Sequence, residues 1–381
     1  MLISLAGTIT RMLNEITEGS TRLLVAEKGT LGKTDKGREK KAPVFYNPRM
    51  KINRDVCCAF VRTLDDITFA DTLAGSGAKG IRVAVEAGHK VHLNDGSMHA
   101  FDLIKKNAKL NKVKVDVSNE DANLFLVKNK FDFIDIDPFG TPVPFLDNAV
   151  MAAKKDGYLG VTATDTAPLC GVYPKACFRK YGAKPLHSEF CHEVGLRILL
   201  GYVARTAAKY KRGLKCLLSH STEHYFRLYV SLSTGKQKAD ASLREIGYVY
   251  YCRKCLHREY KKGFLPEEGV CKCKNPFEVA GPLWLGKIKD DPVLKSVIKG
   301  SYYLKSPKTE RLLNTILEEI DAPFYFDVHK ICKNKKINSP PFDEIVEALL
   351  EEGYSVSRTH FCKTGIKTDA PLNELLPLLF A

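Results

Sequence analysis

Short apolar runs and helical repeats alternate through the first two thirds of the chain. Ile67-Thr68-Phe69-Ala70-Asp71-Thr72-Leu73, Lys90 to Asn94, Val113 to Val117, Phe131 to Ile136 and Tyr158 to Thr164 read as strands. Helical runs lie between them, to Ala87 after the first strand and from Met98 to Leu110 after the second. Strands alternating with helices predict a mostly parallel sheet. A long helix over 188–210 is followed by strands Cys216 to Ser221 and His224 to Ser231. So short a connection makes that pair antiparallel, at one sheet edge. Upstream, residues 8–31 read as a short helix and a hairpin. Asn47-Pro48 starts a helix, with Pro48 near its first position, and that helix carries Arg54 inward. The polar stretch 232–240 predicts a domain boundary. Beyond it come helices 308–320, 327–336 and 341–351, then Gly353 and a strand from Tyr354 to Thr359. Three helices and a strand resemble a winged helix. The fold class is α/β, with a second, smaller α+β domain; the predicted domains are 1–235, opening with an extension 1–60, and 241–381.

At 381 residues, two domains are expected. A hydrophobic content of 44% and a charged content of 27% suit an ordinary globular protein. The net charge of +15 favours a polyanionic partner such as nucleic acid, with an anionic membrane as the competing surface. No apolar run approaches the ~18 residues of a membrane span, and Met1 to Gly7 lacks the features of a signal peptide. Twelve cysteines without export predict reduced thiols, a cytoplasmic setting and room for a metal. Residues 32–41 form a basic loop in which Lys33, Lys36, Arg38, Lys40 and Lys41 either contact phosphates or are simply solvated. Lys330, Lys333, Lys335 and Lys336 make a second basic face, open to the same two readings. No obligate protein partner is evident.

The candidate chemistry sits at the strand ends, where open α/β sheets bind ligands. Ala74-Gly75-Ser76-Gly77-Ala78-Lys79-Gly80 is a glycine loop between strand and helix, and Gly75 and Gly77 let the backbone approach a ligand closely. A nicotinamide-binding domain shares that layout, but its strand usually stays apolar up to the first glycine. Here Asp71 stands just upstream, suited to a cationic amino group. Asp95, twenty residues beyond Gly75, can accept both hydroxyls of a ribose. The pair fits S-adenosylmethionine, with a doubly wound domain carrying incidental acids as the alternative. After the third strand, the Asp121 carboxylate and the Ala122 amide can bracket an adenine edge. After the fourth come Asp137, Pro138, Phe139 and Gly140. A carboxylate and a carbonyl there can hold the two hydrogens of an exocyclic amine while the aromatic ring stacks on its base; a capped turn is the plainer reading. A sheet of this kind with an antiparallel edge hairpin is usual for methyltransferases.

Cys252-Arg253-Lys254-Cys255 and Cys271-Lys272-Cys273 form two close thiol pairs fifteen residues apart. Four thiolates on two turns make a tetrahedral structural Zn²⁺ site. Two disulfides or free thiols are the alternatives, and His257 is a substitute ligand. The remaining cysteines, including Cys170 and Cys191, read as small core residues, and His187 and His192 as structural.

Three blocks of sequence carry a resemblance. These are Asp137-Pro138-Phe139-Gly140, Phe45-Tyr46-Asn47-Pro48-Arg49-Met50 with Asn53-Arg54-Asp55, and Thr162-Ala163-Thr164-Asp165-Thr166-Ala167-Pro168-Leu169-Cys170-Gly171. With Gly281-Pro282-Leu283-Trp284-Leu285-Gly286 and Arg358-Thr359-His360-Phe361, they resemble the tRNA guanine-26 N2-dimethyltransferase family, archaeal branch. The resemblance implies a class I methyltransferase (Rossmann-like) fold that uses S-adenosylmethionine to methylate a guanine amine twice, with tRNA as partner. It implies cofactor contacts at Arg54, Asp95, Asp121 and Ala122, a catalytic acid at Asp137, and a guanine sandwiched by Phe45 and Phe139. Lys79 falls where the family carries arginine; it keeps the charge but not the planar fork. An amino-methyltransferase acting on rRNA or DNA is the alternative activity, and a non-enzymatic RNA-binding protein the third reading.

Overall fold

The computed structural model describes residues 13–26, 44 and 46–379. Phe45 and the basic positions Lys33, Lys36, Arg38, Lys40 and Lys41 lie outside the described residues. The chain opens with β1 (Leu13–Glu18), β2 (Thr21–Ala26), α1 (Lys51–Val61), β3 (Thr68–Asp71) and α2 (Ala78–Arg82). Next come β4 (Lys90–Asn94), α3 (Met98–Leu110), β5 (Asp116–Ser118), α4 (Ala122–Lys128), β6 (Phe131–Ile136), α5 (Val143–Ala152) and β7 (Ala153–Ala163). It continues through α6 (Thr166–Leu169), α7 (Pro174–Tyr181), α8 (Cys191–Lys209), β8 (Arg212–Thr222), β9 (Tyr225–Thr234) and α9 (Lys236–Leu243). Strands β10 (Ile246–Tyr251), β11 (Arg258–Lys262) and β12 (Glu278–Trp284) follow. Last are α10 (Asp291–Ser301), α11 (Pro307–Glu318), β13 (Phe326–Asp327), α12 (Val328–Lys335), α13 (Phe342–Glu351), β14 (Val356–Arg358), β15 (Gly365–Thr368) and α14 (Leu372–Leu378).

The largest sheet has seven strands in the order β5-β4-β3-β6-β7-β9-β8. Strands β5, β4, β3 and β6 run parallel, and β8 and β9 form the expected antiparallel edge pair. Strand β5 begins at Asp116, later than the apolar run from Val113 suggests, and β7 begins at Ala153 rather than Tyr158. The left-handed Asp156 (φ 55°) lies inside β7, so its first residues look like a turn in sequence.

The chain packs as two compact units, one of Met1–Asp137, Asn148–Gly160 and Lys295–Glu310, the other of Pro138–Asp147, Val161–Leu294 and Arg311–Ala381. In the first, the stacked rings of Phe69 and Phe133 lie 5.0 Å apart between β3 and β6. The β1–β2 hairpin is held by Asn107 of α3, whose side chain accepts from the Leu24 amide at 2.7 Å and donates to the Leu24 carbonyl at 3.1 Å. The same side chain donates to the Ser76 carbonyl at 2.9 Å and so supports the glycine loop. Fully buried Arg82 joins Glu18, Asp55 and Glu86 in one ion-paired network.

In the second unit, helix α8 is buried along most of its length, and its buried residues include the Glu193–Arg197 ion pair at 2.8 Å. Strands β11, β10 and β12 form a three-stranded antiparallel sheet. Strands β13, β15 and β14 form another. The expected winged-helix-like end is present, but with two strands, β13 and β15, that the hydrophobic pattern did not announce. In β15, Lys367 is 2% exposed and its ammonium is 3.3 Å from Glu319. A paired cation at a core position erases the apolar signature.

Candidate active site

Acids stand at or just beyond the ends of the parallel strands, and Asp71, Asp95 and Asp121 each accept from backbone amides there. Asp71 closes β3, is 2% exposed, and accepts from the Gly80 amide at 3.0 Å. Burial lifts its carboxyl to about 7; the Lys79 ammonium opposes that rise, and the charges of Asp135 and Asp137 add to it. Gly75 (φ 54°) and Gly77 (φ 75°) hold left-handed conformations that other residues rarely adopt. A Cβ on Gly77 would also meet Ile104 at 3.0 Å.

Asp95, just beyond β4, accepts from the Gly75 amide at 2.8 Å and from the Ser97 amide at 2.9 Å. Its carboxylate therefore fixes the glycine loop against the next strand end. Fully buried Asn94 ties three strand ends together, donating to the carbonyls of Thr72 (3.2 Å) and Glu120 (3.1 Å) and accepting from the Glu120 amide. Sequence reading passed over this residue; its signal was an amide side chain at the last position of an otherwise apolar strand. Exposed Asp121 caps α4, one oxygen accepting from the amides of Asn123 (2.9 Å) and Leu124 (3.2 Å), beside buried Ala122.

Lys79, 5% exposed, is directed at β6 rather than at solvent. Its ammonium donates to Asp135 at 2.7 and 3.1 Å and to Asp137 at 2.6 Å. Asp135 also escaped the sequence reading. The signal was its spacing: residues two apart on a strand share a face, so Asp135 and Asp137 meet the same cation. Arg54 is committed elsewhere, donating to Glu18 at 2.6 and 2.8 Å and to the Asn47 carbonyl at 3.2 Å, with its guanidinium 5.0 Å over the Tyr46 ring.

Pro138, which follows, is buried, and Phe139 is 75% exposed. Left-handed Gly140 (φ 82°) turns the chain, and its amide donates to the Thr164 hydroxyl at 2.6 Å. The Thr164 amide returns a bond to the Gly140 carbonyl at 2.9 Å. The next residue, Thr141, donates to the Tyr181 hydroxyl, which donates to Asp165 at 2.7 Å. The 162–171 block thus fixes the turn that presents Phe139.

The four cysteines at 252, 255, 271 and 273 come together with all sulfurs within 4.8 Å of one another. The pairs Cys252–Cys273 and Cys255–Cys271 are 3.4 Å apart, well beyond a disulfide of about 2.05 Å and close to the sulfur spacing around a tetrahedral metal. Left-handed Leu256 and Lys274 turn the chain back after each pair. His257 instead engages Glu259 at 3.0 Å.

Residues 19–379 match the family model described as N2,N2-dimethylguanosine tRNA methyltransferase. The chain is similar to the protein named tRNA (guanine(26)-N(2))-dimethyltransferase from Methanothermobacter thermautotrophicus, 44% identical with 89% of this chain and 93% of the relative covered. The protein of the same name from Pyrococcus horikoshii is 40% identical, with 94% and 96% covered. The solved structure of Trm1 from Pyrococcus horikoshii with S-adenosyl-L-methionine matches with a TM-score of 0.87 at 39% identity, over 96% of this chain and 100% of that one.

Proposed function

Because the chain belongs to the N2,N2-dimethylguanosine tRNA methyltransferase family, we propose that it methylates the N2 amine of guanine 26 in tRNA to give N2,N2-dimethylguanine, using S-adenosylmethionine. The observation that carries the mechanism is the Lys79–Asp137 ion pair at the end of β6, in the same unit as the glycine loop. The donor set suits the cofactor: carboxylates at Asp95 and Asp121, backbone amides at Gly75 and Ala122, and two left-handed glycines that admit close approach. When bound, S-adenosylmethionine supplies an electrophilic methyl group on a sulfonium.

The residues of the chain supply the rest. A guanine amine is a poor nucleophile because its lone pair is delocalised into the ring. Asp137 and the Pro138 carbonyl accept its two hydrogens and turn the lone pair outward. Positive charge grows on nitrogen as it attacks, and the Asp137 carboxylate stabilises it and takes the proton. Lys79 holds that carboxylate in place through the 2.6 Å ion pair. The target lies in folded RNA, so the base leaves its stack first; Phe139, joined by Phe45, restores stacking of ~1–3 kcal/mol per base. Burial of Asp71 and the pairing of Arg54 with Glu18 support positioning roles for both: Asp71 sets the loop through Gly80, and Arg54 holds the β1–β2 hairpin.

The sulfur spacing supports structural Zn²⁺ held by Cys252, Cys255, Cys271 and Cys273, with no part in methyl transfer. We assign methyl transfer to 1–235, with its extension 1–60 contacting tRNA, and further tRNA binding to 241–381. All twelve cysteines are free of disulfides, which suits a cytoplasmic enzyme, and among the described residues no helix is long and apolar enough to cross a membrane. Unmodified tRNA transcripts and rRNA fragments, incubated with the protein and labelled cofactor and then digested to nucleosides, test the activity. N2,N2-dimethylguanosine should appear in tRNA and vanish when guanine 26 is replaced by adenine. Label in rRNA alone would overturn the assignment.

A further inference from the structure

A second group of metal-ligating side chains lies away from the four-cysteine cluster. Cys170, Cys191 and His192 each offer one ligand atom, and the three atoms lie within 4.8 Å of one another. Chain geometry builds this group. Cys170 ends the α6 turn, its amide bonded to the Thr166 carbonyl at 2.8 Å. Gly171 follows with φ 86°, so close to the next segment that a Cβ there would meet the His187 amide at 2.6 Å. His187 in turn lies 3.2 Å from the Cys170 carbonyl through Nδ1. That contact seats the Cys170 loop on the segment leading into α8, whose first two residues are Cys191 and His192.

We propose that Cys170, Cys191 and His192 form a second metal site, for a thiophilic divalent cation of the zinc class. Two thiolates and an imidazole are the donors such a cation prefers. A tetrahedral ion with bonds of about 2.0–2.3 Å places neighbouring ligand atoms about 3.5–3.8 Å apart, within the span found here. Binding releases one proton from each thiol to solvent. The N-terminus of α8, a helix of 19 residues, favours the Cys191 thiolate. Cys170 is 6% exposed while His192 is exposed, so the ion enters from the His192 side and its fourth position stays open to water. The bound ion would clamp the far end of the block whose Thr164 holds the Gly140 turn.

Zinc content is measured on full-length protein purified under reducing conditions, as wild type, Cys191→Ser and His192→Asn. Wild type should carry about one zinc per chain more than Cys191→Ser. His192→Asn alters an exposed side chain and should leave the fold intact. In competition with a chromophoric chelator it should bind this zinc about 10–100-fold more weakly, or worse. Because the result is a difference between chains, it does not depend on the four-cysteine cluster, which Cys252→Ser removes separately. Equal zinc content and equal competition curves in all three proteins would overturn the proposal. So would peptide mapping that finds Cys170 and Cys191 joined as a disulfide in protein prepared with zinc present.

Discussion

With its ammonium 2.6 Å from Asp137 and 2.7 Å from Asp135, Lys79 supplies the positive charge against which the strand-end carboxylates are balanced. It also restrains Asp71, whose carboxyl burial has raised to about 7. A neighbouring cation favours the ionised carboxylate, so its removal favours the protonated form. Lys79→Met should therefore move the acid limb of the pH–rate profile to higher pH. Lys79→Arg, which keeps the charge, should leave the limb near its original position. An unmoved limb in Lys79→Met would show that this ammonium does not govern the titrating group. Asp137 and the glycines were legible in sequence because they break an apolar strand at its end. Asp135 and Glu18 were not: each looks like an ordinary surface acid until the fold brings Lys79 or Arg54 to it.

Among the elements, β3, β4, β6 and α3 were readable from periodicity alone, whereas β5 starts three residues later than its apolar run and β13 and β15 were hidden. Phe326–Asp327 is too short to carry a period, and β15 buries a lysine. That lysine belongs to a buried charge cluster with Glu319 and His360, in which burial opposes ionisation of Glu319 but His360 and Lys367 outweigh it, holding its carboxyl at about 2. Glu18 is likewise held at about 2, burial being outweighed by the hydrogen bonds and charge of Arg54. Both values are depressed from the ordinary 4.5. The stabilisation is therefore complete above about pH 4.5 and is lost as pH falls from there towards 2. Denaturant midpoints should drop across that window, and Glu319→Gln should flatten the drop; an identical slope in the variant would contradict this account of the cluster. The turns that carry the four cysteines join the strands of the β10–β12 sheet. Cys252→Ser should release about one zinc per chain and loosen this sheet while cofactor affinity holds. Metal analysis that finds no zinc in untreated wild type would end the zinc assignment.

For the whole molecule, 59 basic residues exceed 44 acidic ones, an excess suited to a polyanionic partner. If these cations neutralise phosphates, log affinity for tRNA should fall linearly with log salt, by about 0.7–0.9 per phosphate contacted. Replacing Lys40 and Lys41 should flatten that slope without altering cofactor affinity. An affinity unchanged between about 50 and 200 mM salt would contradict the electrostatic reading.

In the proposed reaction Asp137 carries the chemistry, while Asp95 and Asp121 hold the cofactor. Single-turnover methyl transfer to unmodified tRNA by Asp137→Ala, read beside cofactor calorimetry on the same protein, tests it most directly. Transfer should slow by roughly 10²–10⁴, the span of a positioned acid–base group, while cofactor affinity changes little. A transfer rate within about tenfold of wild type, with the cofactor still bound, would show that Asp137 is not the group that receives the proton.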